Sequence, residues 1–341
     1  MKLLKTQDAV GHILCHDLTQ IILGVTKDAL FRKGHVITES DIPILLSMGK
    51  DHVYIWEDDG NILHENEAAE ILAGLCRNEH MHATEPKEGK IELIADMDGL
   101  LVVDTESLRK VNALGEMMIA TRASGSPVKK GDKLCGTRII PLVIDKEKMA
   151  YARRVANGQP LLELIPIKQK KYGLINTGNE IFYGRIKDTF TPVIREKLAE
   201  YGCEMTAHVT LADDPDKITD AIKDMFEKGA ELVLCTGGMS VDPDDKTPLA
   251  IRTAADSVVS YGAPVLPGAM FMLSYMADGR PICGLPGCVM YKKRTIFDIV
   301  LPRLLADVPV TAEWLAGLGN GGLCLDCSEC HFPNCAFGKG I

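Results

Sequence analysis

Three short glycine-containing segments carry the residue types that hold phosphorylated ligands. They are NTGNE at residues 176–180, TGGMSVDPDD at residues 236–245 and GLPG at residues 284–287, and each follows a predicted strand. Ligands of open α/β sheets bind at the carboxyl ends of the strands. If the three strands belong to one parallel sheet, the three segments meet at one edge, and we predict a shared ligand site there.

The Gly-Gly pair of the second segment can receive a phosphate group. Gly237 and Gly238 allow the backbone to approach a ligand closely and to adopt positive φ, and successive N–H groups in such a turn form an anion-binding concavity. Ser240 adds a hydroxyl donor. A phosphate could therefore be held without a cationic side chain, although a Gly-Gly pair by itself more often only makes a tight turn.

Carboxylates surround this candidate phosphate site. Asp242, Asp244 and Asp245 follow the Gly-Gly pair, and Glu180 lies in the first segment. Carboxylates repel a phosphate unless a cation lies between them, and Mg²⁺ typically uses one or two carboxylates together with substrate phosphates. The alternative is capping of the helix predicted from Pro248. We favour the structural role for Asp242 and Asp244. For Asp245 and Glu180 the resemblance described below favours a role in ligand chemistry instead.

Four cysteines crowd the last 18 residues, with two, two and four residues between them: Cys324, Cys327, Cys330 and Cys335. Thiolates at this spacing suit a soft metal. The pattern approaches the ferredoxin run but lacks its following Cys-Pro, and four thiolates also suit tetrahedral Zn²⁺, with His331 as a spare ligand. We predict a metal centre, either Zn²⁺ or an iron–sulfur cluster; the alternatives are a reduced tail or a redox disulfide pair.

The residues from 171 to 305 alternate between strand-like and helix-like patterns. Strands are predicted at 173–176, 204–211, 231–235, 258–261 and 282–284, and helices at 190–201, 216–228, 248–255 and 290–305. This alternation is typical of an α/β fold, a mostly parallel sheet with helices on both faces.

The amino-terminal half has a mixed pattern. Helices are predicted at 38–49, 62–82 and 107–115, strands at 52–56, 91–94, 100–103 and 139–144, and a polar linker at 83–90. We therefore divide the chain into a small mixed α/β domain (1–84), a mixed, strand-rich domain (85–168), the α/β domain (169–310) and a Cys-rich tail (311–341).

Charge and hydropathy exclude several classes of protein. The net charge is −9 and the sequence has no extended basic patch, so nucleic-acid binding is not expected. No apolar run approaches the roughly 18 residues of a membrane span, and the amino terminus does not read as an export leader. We expect a cytoplasmic protein with reduced thiols.

Taken together, the segments resemble the molybdopterin-binding domain shared by molybdopterin molybdotransferases and molybdopterin adenylyltransferases, over about residues 170–306. The resemblance is carried by TGNE at 177–180, TGGMS at 236–240 with Asp245, LADDP at 211–215, PG at 267–268 and GLPG at 284–287. It implies catalytic roles near the metal-insertion site for Glu180, Asp245 and Asp214 (or Asp213). It implies cofactor binding by Thr177, Gly178, Asn179, Thr236, Gly237, Gly238, Met239, Ser240, Pro286 and Gly287.

The resemblance implies molybdenum-cofactor biosynthesis, with Mg²⁺-assisted insertion of molybdate into adenylylated molybdopterin. It also implies a homodimer, and molybdoenzymes or other cofactor-assembly proteins as partners. Asn179 and Cys288 depart from the pattern, which usually has an acid and an asparagine there. Two other functions stay open: a non-catalytic molybdopterin carrier or sensor, and a nucleotide pyrophosphatase or amidohydrolase of the competence/damage type. Transient handling of molybdenum or pterin by the tail thiols is a third interpretation of the cysteines.

Overall fold

The computed structural model describes residues 2–22, 26–55, 60–240, 242–243 and 245–340. The strands are β1 (Lys2–Lys5), β2 (Leu18–Ile22), β3 (Thr26–Phe31), β4 (His52–Ile55), β5 (Ile62–His64), β6 (Met81–Ala83), β7 (Lys90–Ala95), β8 (Gly99–Val103), β9 (Met117–Thr121), β10 (Ser126–Val128), β11 (Lys133–Ile139), β12 (Val143–Asp145), β13 (Leu162–Pro166), β14 (Lys171–Thr177), β15 (Glu204–Leu211), β16 (Leu232–Thr236), β17 (Ser257–Tyr261), β18 (Met272–Tyr275) and β19 (Pro281–Leu285). The α-helices are α1 (Asp41–Ser47), α2 (Glu65–Cys76), α3 (Thr105–Asn112), α4 (Lys146–Val155), α5 (Asn179–Phe182), α6 (Phe190–Ala199), α7 (Pro215–Glu227), α8 (Thr247–Ala254), α9 (Ile296–Leu305) and α10 (Ala312–Gly317).

The described residues form two compact units. The first comprises the residues up to Ala95, together with Asp104–Arg122 and Asp132–Glu163; the second comprises Asp96–Val103, Ala123–Gly131 and the residues from Leu164 onward. The four-part division drawn from the sequence stays a prediction. No described helix has the length and apolar character needed to cross a membrane.

The first unit is built on a four-stranded antiparallel sheet in the order β6-β7-β11-β9, against which α2 packs. Helix α2 begins with a capping box, in which the His64 ring accepts from the helix backbone and Glu67 accepts from the His64 N–H. Short strand pairs β1-β4, β2-β3 and β5-β12 complete this unit. The predicted linker at 83–90 joins β6 to β7, which pair antiparallel in one sheet.

Two predicted elements of the first unit are wrong in extent. The helix predicted at 62–82 is limited to α2, because its first residues form β5 and its last residues begin β6. The strand predicted at 139–144 is interrupted, since Ile139 ends β11 and Ile144 lies in β12, which pairs with β5 instead. The two ends of this apolar run therefore belong to two different sheets. The predicted strand at 52–56 is β4, and its last residue, Trp56, lies outside the described residues.

The second unit contains a mixed six-stranded sheet in the order β15-β14-β16-β19-β18-β17. Strands β15, β14, β16 and β19 are parallel, whereas β18 and β17 run antiparallel. The parallel part follows the prediction, and the antiparallel edge arises because β18, which the sequence analysis missed, turns back between β17 and β19.

Helices cover both faces of this sheet, as predicted. Leu174 and Leu234 pack with α6 and α9 on one face, whereas Ile175, Val233 and Cys235 pack with α7 and α8 on the other. Alternation of side chains along a strand explains this division. The predicted helix at 290–305 begins only at Ile296, after a capping box between Thr295 and Asp298, and a further helix, α10, follows it.

A smaller sheet in the second unit has the order β10-β8-β13. Gly99 in β8 lies so close to β13 that an added Cβ would stand 2.8 Å from the Ile165 carbonyl oxygen. Glycine is therefore required at this approach of two backbones.

Candidate functional site

The three glycine-containing segments emerge side by side from the sheet of the second unit. In the parallel register Asn176 lies opposite Thr236, and Thr236 lies opposite Leu285. The carboxyl ends of β14, β16 and β19 are therefore at the same edge, as the sequence predicts. We call the residues 176–180, 236–240 and 284–287 at this edge the three-loop site.

The first and second loops touch directly. A Cβ added to Gly237 would stand 2.0 Å from the carbonyl oxygen of Thr177, and one added to Gly238 would stand 3.2 Å from the Thr177 hydroxyl. Both glycines have positive φ, +85° and +52°. Only glycine combines this close approach with that backbone conformation.

A chain of buried hydroxyl and amide groups fixes the ends of β14 and β16 beneath the loops. The Thr177 hydroxyl lies 3.2 Å from the Thr236 carbonyl oxygen and 2.8 Å from the Thr247 hydroxyl. The Thr236 hydroxyl donates to the Asn176 side-chain oxygen at 2.7 Å, and the Asn176 amide donates to Asp188 at 2.7 Å. These bonds give the loops a preformed geometry, because buried polar groups that are fully bonded hold one arrangement.

Asp245 closes the second loop on itself. One of its carboxylate oxygens accepts from the Ser240 N–H at 2.7 Å, and its own N–H donates to the Asp242 carbonyl at 3.0 Å. The Ser240 N–H is therefore engaged, which leaves its hydroxyl as the donor for a ligand. Asp244, considered above as a capping residue, lies outside the described residues.

Glu180 is exposed at the start of α5, and its carboxylate folds back toward Gly178. A Cβ on Gly178 would lie 3.1 Å from Glu180 Oε2, and Gly178 has a φ of +134°. Asn179 lies between these two residues in the sequence and is half-buried. Its N–H donates to Asp213 Oδ2 at 3.0 Å. The first loop therefore contributes the Glu180 carboxylate. Its backbone also donates to a second carboxylate, that of Asp213, which follows β15.

Asp214 lies at the start of α7, and its predicted catalytic role stays a prediction. It caps α7 by accepting from the N–H groups of Asp216 and Lys217 at 3.1 and 3.2 Å. Hydrogen bonds from Lys217, first from its backbone and then from its side chain, lower the pKa of Asp214 below its usual range. The acid that faces the glycine loops is its neighbour Asp213, whose Oδ1 lies 3.4 Å from the Cβ position of Gly238.

The third loop contributes little side-chain chemistry. Pro286 is buried, and Gly287 is exposed at the start of a 3₁₀ turn, with open space around its Cβ position. Met239, predicted to bind cofactor, is buried, and its side chain packs on Gly284, where an added Cβ would stand 2.5 Å from Met239 Cε. Its side chain therefore belongs to the core and joins the second loop to the third.

Two residues of this region were missed in the sequence analysis. The Tyr261 hydroxyl, on edge strand β17, lies 3.0 Å from the Met239 carbonyl oxygen and 3.3 Å from that of Ser240, so it supports the second loop from outside. Burial raises the pKa of the Tyr261 phenol, which keeps it a donor. Thr247 is fully buried at the start of α8. Its position directly before Pro248 was a usable signal, whereas nothing local in the sequence pointed to Tyr261.

The four tail cysteines line one cavity but do not converge on a point. The cavity, of about 570 Å³, is lined by all four. Among the residues described, no three histidine, cysteine, aspartate or glutamate side chains lie close enough to hold a metal ion. This holds for the predicted Mg²⁺ site at the three loops and for the predicted tail metal, and both stay predictions.

Comparisons with known proteins found similarities over parts of the chain. Residues 173–306 match the family described as "Probable molybdopterin binding domain", and residues 3–57 match one described as a domain of unknown function. A molybdopterin molybdenumtransferase of Synechococcus elongatus is 26% identical over 197 residues, which are 54% of this chain and 46% of that protein. A CinA-like protein of Mycobacterium tuberculosis is 37% identical over 76 residues, 22% of this chain and 17% of that protein.

A crystal structure of the molybdopterin biosynthesis enzyme MoaB from Thermus thermophilus aligns with 41% of this chain and 96% of that one, at 25% identity and a TM-score of 0.36. The chain spans about half the length of the molybdopterin molybdenumtransferases that it matches. The matched range contains all three loops. Residues 173–306 therefore match the molybdopterin-binding domain family.

Proposed function

We propose that the three-loop site binds molybdopterin or adenylyl-molybdopterin, and that the chain acts in molybdenum-cofactor biosynthesis by inserting molybdate. The observation that carries this proposal is the contact between Gly237 and Thr177, which holds two glycine-containing backbones together at one sheet edge. Main-chain donors bind a phosphate locally in a chain whose net charge of −9 repels anions at long range.

The acids of the site suit a step in which a phosphoanhydride is hydrolysed. In this proposal water attacks the adenylyl phosphorus and the bond from that phosphorus to the bridging oxygen breaks. Molybdopterin departs with its own phosphate, and AMP, which carries the oxygen of the water, is then released. Glu180 lies at the rim of the first loop and Asp213 bonds its backbone, whereas Asp245 keeps the second loop closed. Asp213 takes the place that the sequence analysis gave first to Asp214.

Oxygen donors of this kind fit Mg²⁺, which typically uses one or two carboxylates and completes its shell with phosphates and water. The described residues do not supply three converging ligands, so the ion would depend on phosphate oxygens of the ligand. Glu180 and Asp213 would hold it. When bound, Mg²⁺ would neutralise charge that develops on the leaving phosphate.

The test is incubation of the purified protein with adenylyl-molybdopterin, molybdate and Mg²⁺, with AMP release followed by chromatography. We expect the release of AMP to depend on molybdate. The rate of release should fall at least about tenfold in Glu180→Gln and in Asp213→Asn, which corresponds to about 1.4 kcal/mol of activation free energy. The matched control is Glu204→Gln, an exposed acid at the start of β15 outside the site. Binding without release would identify a carrier or sensor instead.

The similarity to a CinA-like protein favours one second candidate, a nucleotide pyrophosphatase or amidohydrolase. It predicts turnover of a dinucleotide without molybdate or pterin. The same assay with a pyridine dinucleotide in place of adenylyl-molybdopterin separates the two functions. A homodimer and transfer of the product to a molybdoenzyme belong to the first proposal, and light scattering tests the dimer.

A further inference from the structure

The end of the chain forms a closed loop anchored at both ends. The Gly338 N–H donates to the Gly321 carbonyl at 3.0 Å, and the Asn320 side-chain amide donates to the Gly340 carbonyl at 2.9 Å. A Cβ on Gly340 would stand 1.9 Å from the Asn320 carbonyl oxygen, so this closure requires glycine. All four tail cysteines lie within the segment 321–338, which we call the cysteine loop.

The cysteine loop is also tied to the sheet domain. The Cys324 N–H donates to the Leu266 carbonyl and the Leu266 N–H donates to the Gly322 carbonyl, both at 2.8 Å. Phe337 is buried in the core beneath the loop. The cysteines are therefore carried by a folded element, and their placement around one cavity is a property of the fold.

The cavity that the four cysteines help to line is large for a single ion. A volume of about 570 Å³ lies within the range of roughly 300–1,000 Å³ that small ligands and cofactors occupy. A tetrahedral Zn²⁺ with bonds of roughly 2.3 Å requires its sulfurs to lie roughly 3.8 Å apart. No three described ligand side chains come together in that way. Four cysteines that line one cavity of this volume suit a group that contains metal and sulfide of its own.

The charges around the cavity favour an anionic group. Lys292, Lys293 and Arg294 line it, and the Arg294 guanidinium lies 5.4 Å from the centre of the Phe332 ring, which also lines it. Lys292 donates to Asp326, between Cys324 and Cys327, at 2.8 Å. A four-iron cluster with four cysteine thiolates carries a net charge of about −2, and nearby cations and apolar surroundings adjust its stability and potential.

We propose that Cys324, Cys327, Cys330 and Cys335 bind an iron–sulfur cluster in this cavity. The first three supply the spacing of two residues that is common to ferredoxin-type clusters, and Cys335 returns to the same cavity after the turn at His331–Asn334. The assignment concerns residues outside the three-loop site and stands independently of pterin binding.

The experiment is anaerobic reconstitution of the full chain with ferrous iron, sulfide and a thiol reductant, followed by desalting. Iron, zinc and acid-labile sulfide are then measured, together with the absorption spectrum and the electron paramagnetic resonance of the dithionite-reduced protein. We expect about four iron and about four sulfide atoms per chain, with broad sulfide-to-iron absorption. In Cys327→Ser and Cys330→Ser, whose thiols are exposed, we expect iron to fall at least fivefold.

The matched control is Cys203→Ser, a half-buried cysteine of the same unit that does not line the cavity. It should retain the full iron content, and circular dichroism should show that all variants are folded. One zinc per chain with no labile sulfide would overturn the proposal, as would a chain that binds neither metal. Equal iron loss in the Cys203 control would also overturn it.

Discussion

Gly237 lies against the backbone of Thr177, where an added Cβ would stand 2.0 Å from the Thr177 carbonyl oxygen. The obstacle is main chain, which cannot move aside as the end of a side chain can. The Gly237→Ala variant must therefore displace the second loop, and its φ of +85° adds strain. We expect the affinity for molybdopterin to fall at least about tenfold, or about 1.4 kcal/mol, measured by calorimetric titration.

The control for this variant is Gly74→Ala. Gly74 lies within α2 with open space at its Cβ position and no positive φ, so alanine should be neutral or stabilising by about 0.5–1 kcal/mol. Unchanged ligand affinity in Gly237→Ala would contradict the assignment of this loop to the ligand site.

A buried ion pair joins α6 to α9. Lys197 and Asp298 are 6% and 4% exposed, and Lys197 Nζ donates to both Asp298 oxygens at 2.7 and 2.9 Å. Removal of one partner from such a pair leaves a buried charge, so Asp298→Ala should lower the free energy of unfolding by about 3–5 kcal/mol. Urea denaturation measures this. The exposed pair of Asp224 and Lys228 serves as the comparison. Asp224→Ala should change the free energy of unfolding by less than about 0.5 kcal/mol.

The Tyr261 hydroxyl supports the second loop through the Met239 and Ser240 carbonyls. Tyr261→Phe removes this donor and keeps the ring. Because a single hydrogen bond contributes about 0.5–1.5 kcal/mol, we expect a two- to tenfold loss of molybdopterin affinity with little change in the melting temperature. Tyr151→Phe, on α4 of the first unit, should change neither quantity, and equal losses in both variants would point to a general effect of the substitution.

The ionisation of Asp214 should make the stability of the folded protein depend on pH in the acid range. Its pKa is lowered in the folded state, chiefly by hydrogen bonds from Lys217. Its contribution to stability is therefore complete above its ordinary value of 3.8 and is lost as the pH falls through the lower folded value. Asparagine caps helices equally well without ionising. In Asp214→Asn, melting measured from pH 6 down to pH 2 should show a shallower loss of stability than in the unchanged protein.

The same variant separates capping from catalysis. With the cap preserved, AMP release by Asp214→Asn should equal that of the unchanged protein, whereas Asp213→Asn should lose activity. The opposite result would return the catalytic assignment to Asp214.

Local patterns in the sequence determined much of the sheet domain. Strand β15 coincides with the predicted 204–211, and α6 and α7 end, as predicted, just before Gly202 and Gly229, which have φ of +70° and +90°. Side-chain alternation, helical periodicity and the need for glycine at positive φ act over a few residues. The sequence is therefore sufficient to predict these elements and the sheet edge at which the loops emerge.

Tertiary structure decided the features that depend on partners far along the chain. The run at 139–144 divides because β5 and β9 pair with its two ends. Asp213 and Asp214 differ in their surroundings for the same reason, since Asp213 accepts from the Asn179 N–H and Asp214 caps α7. The cysteine loop, whose four cysteines line one cavity, is bonded to the distant residue Leu266. Such contacts depend on how separate elements pack, and no local spacing of residues encodes that packing.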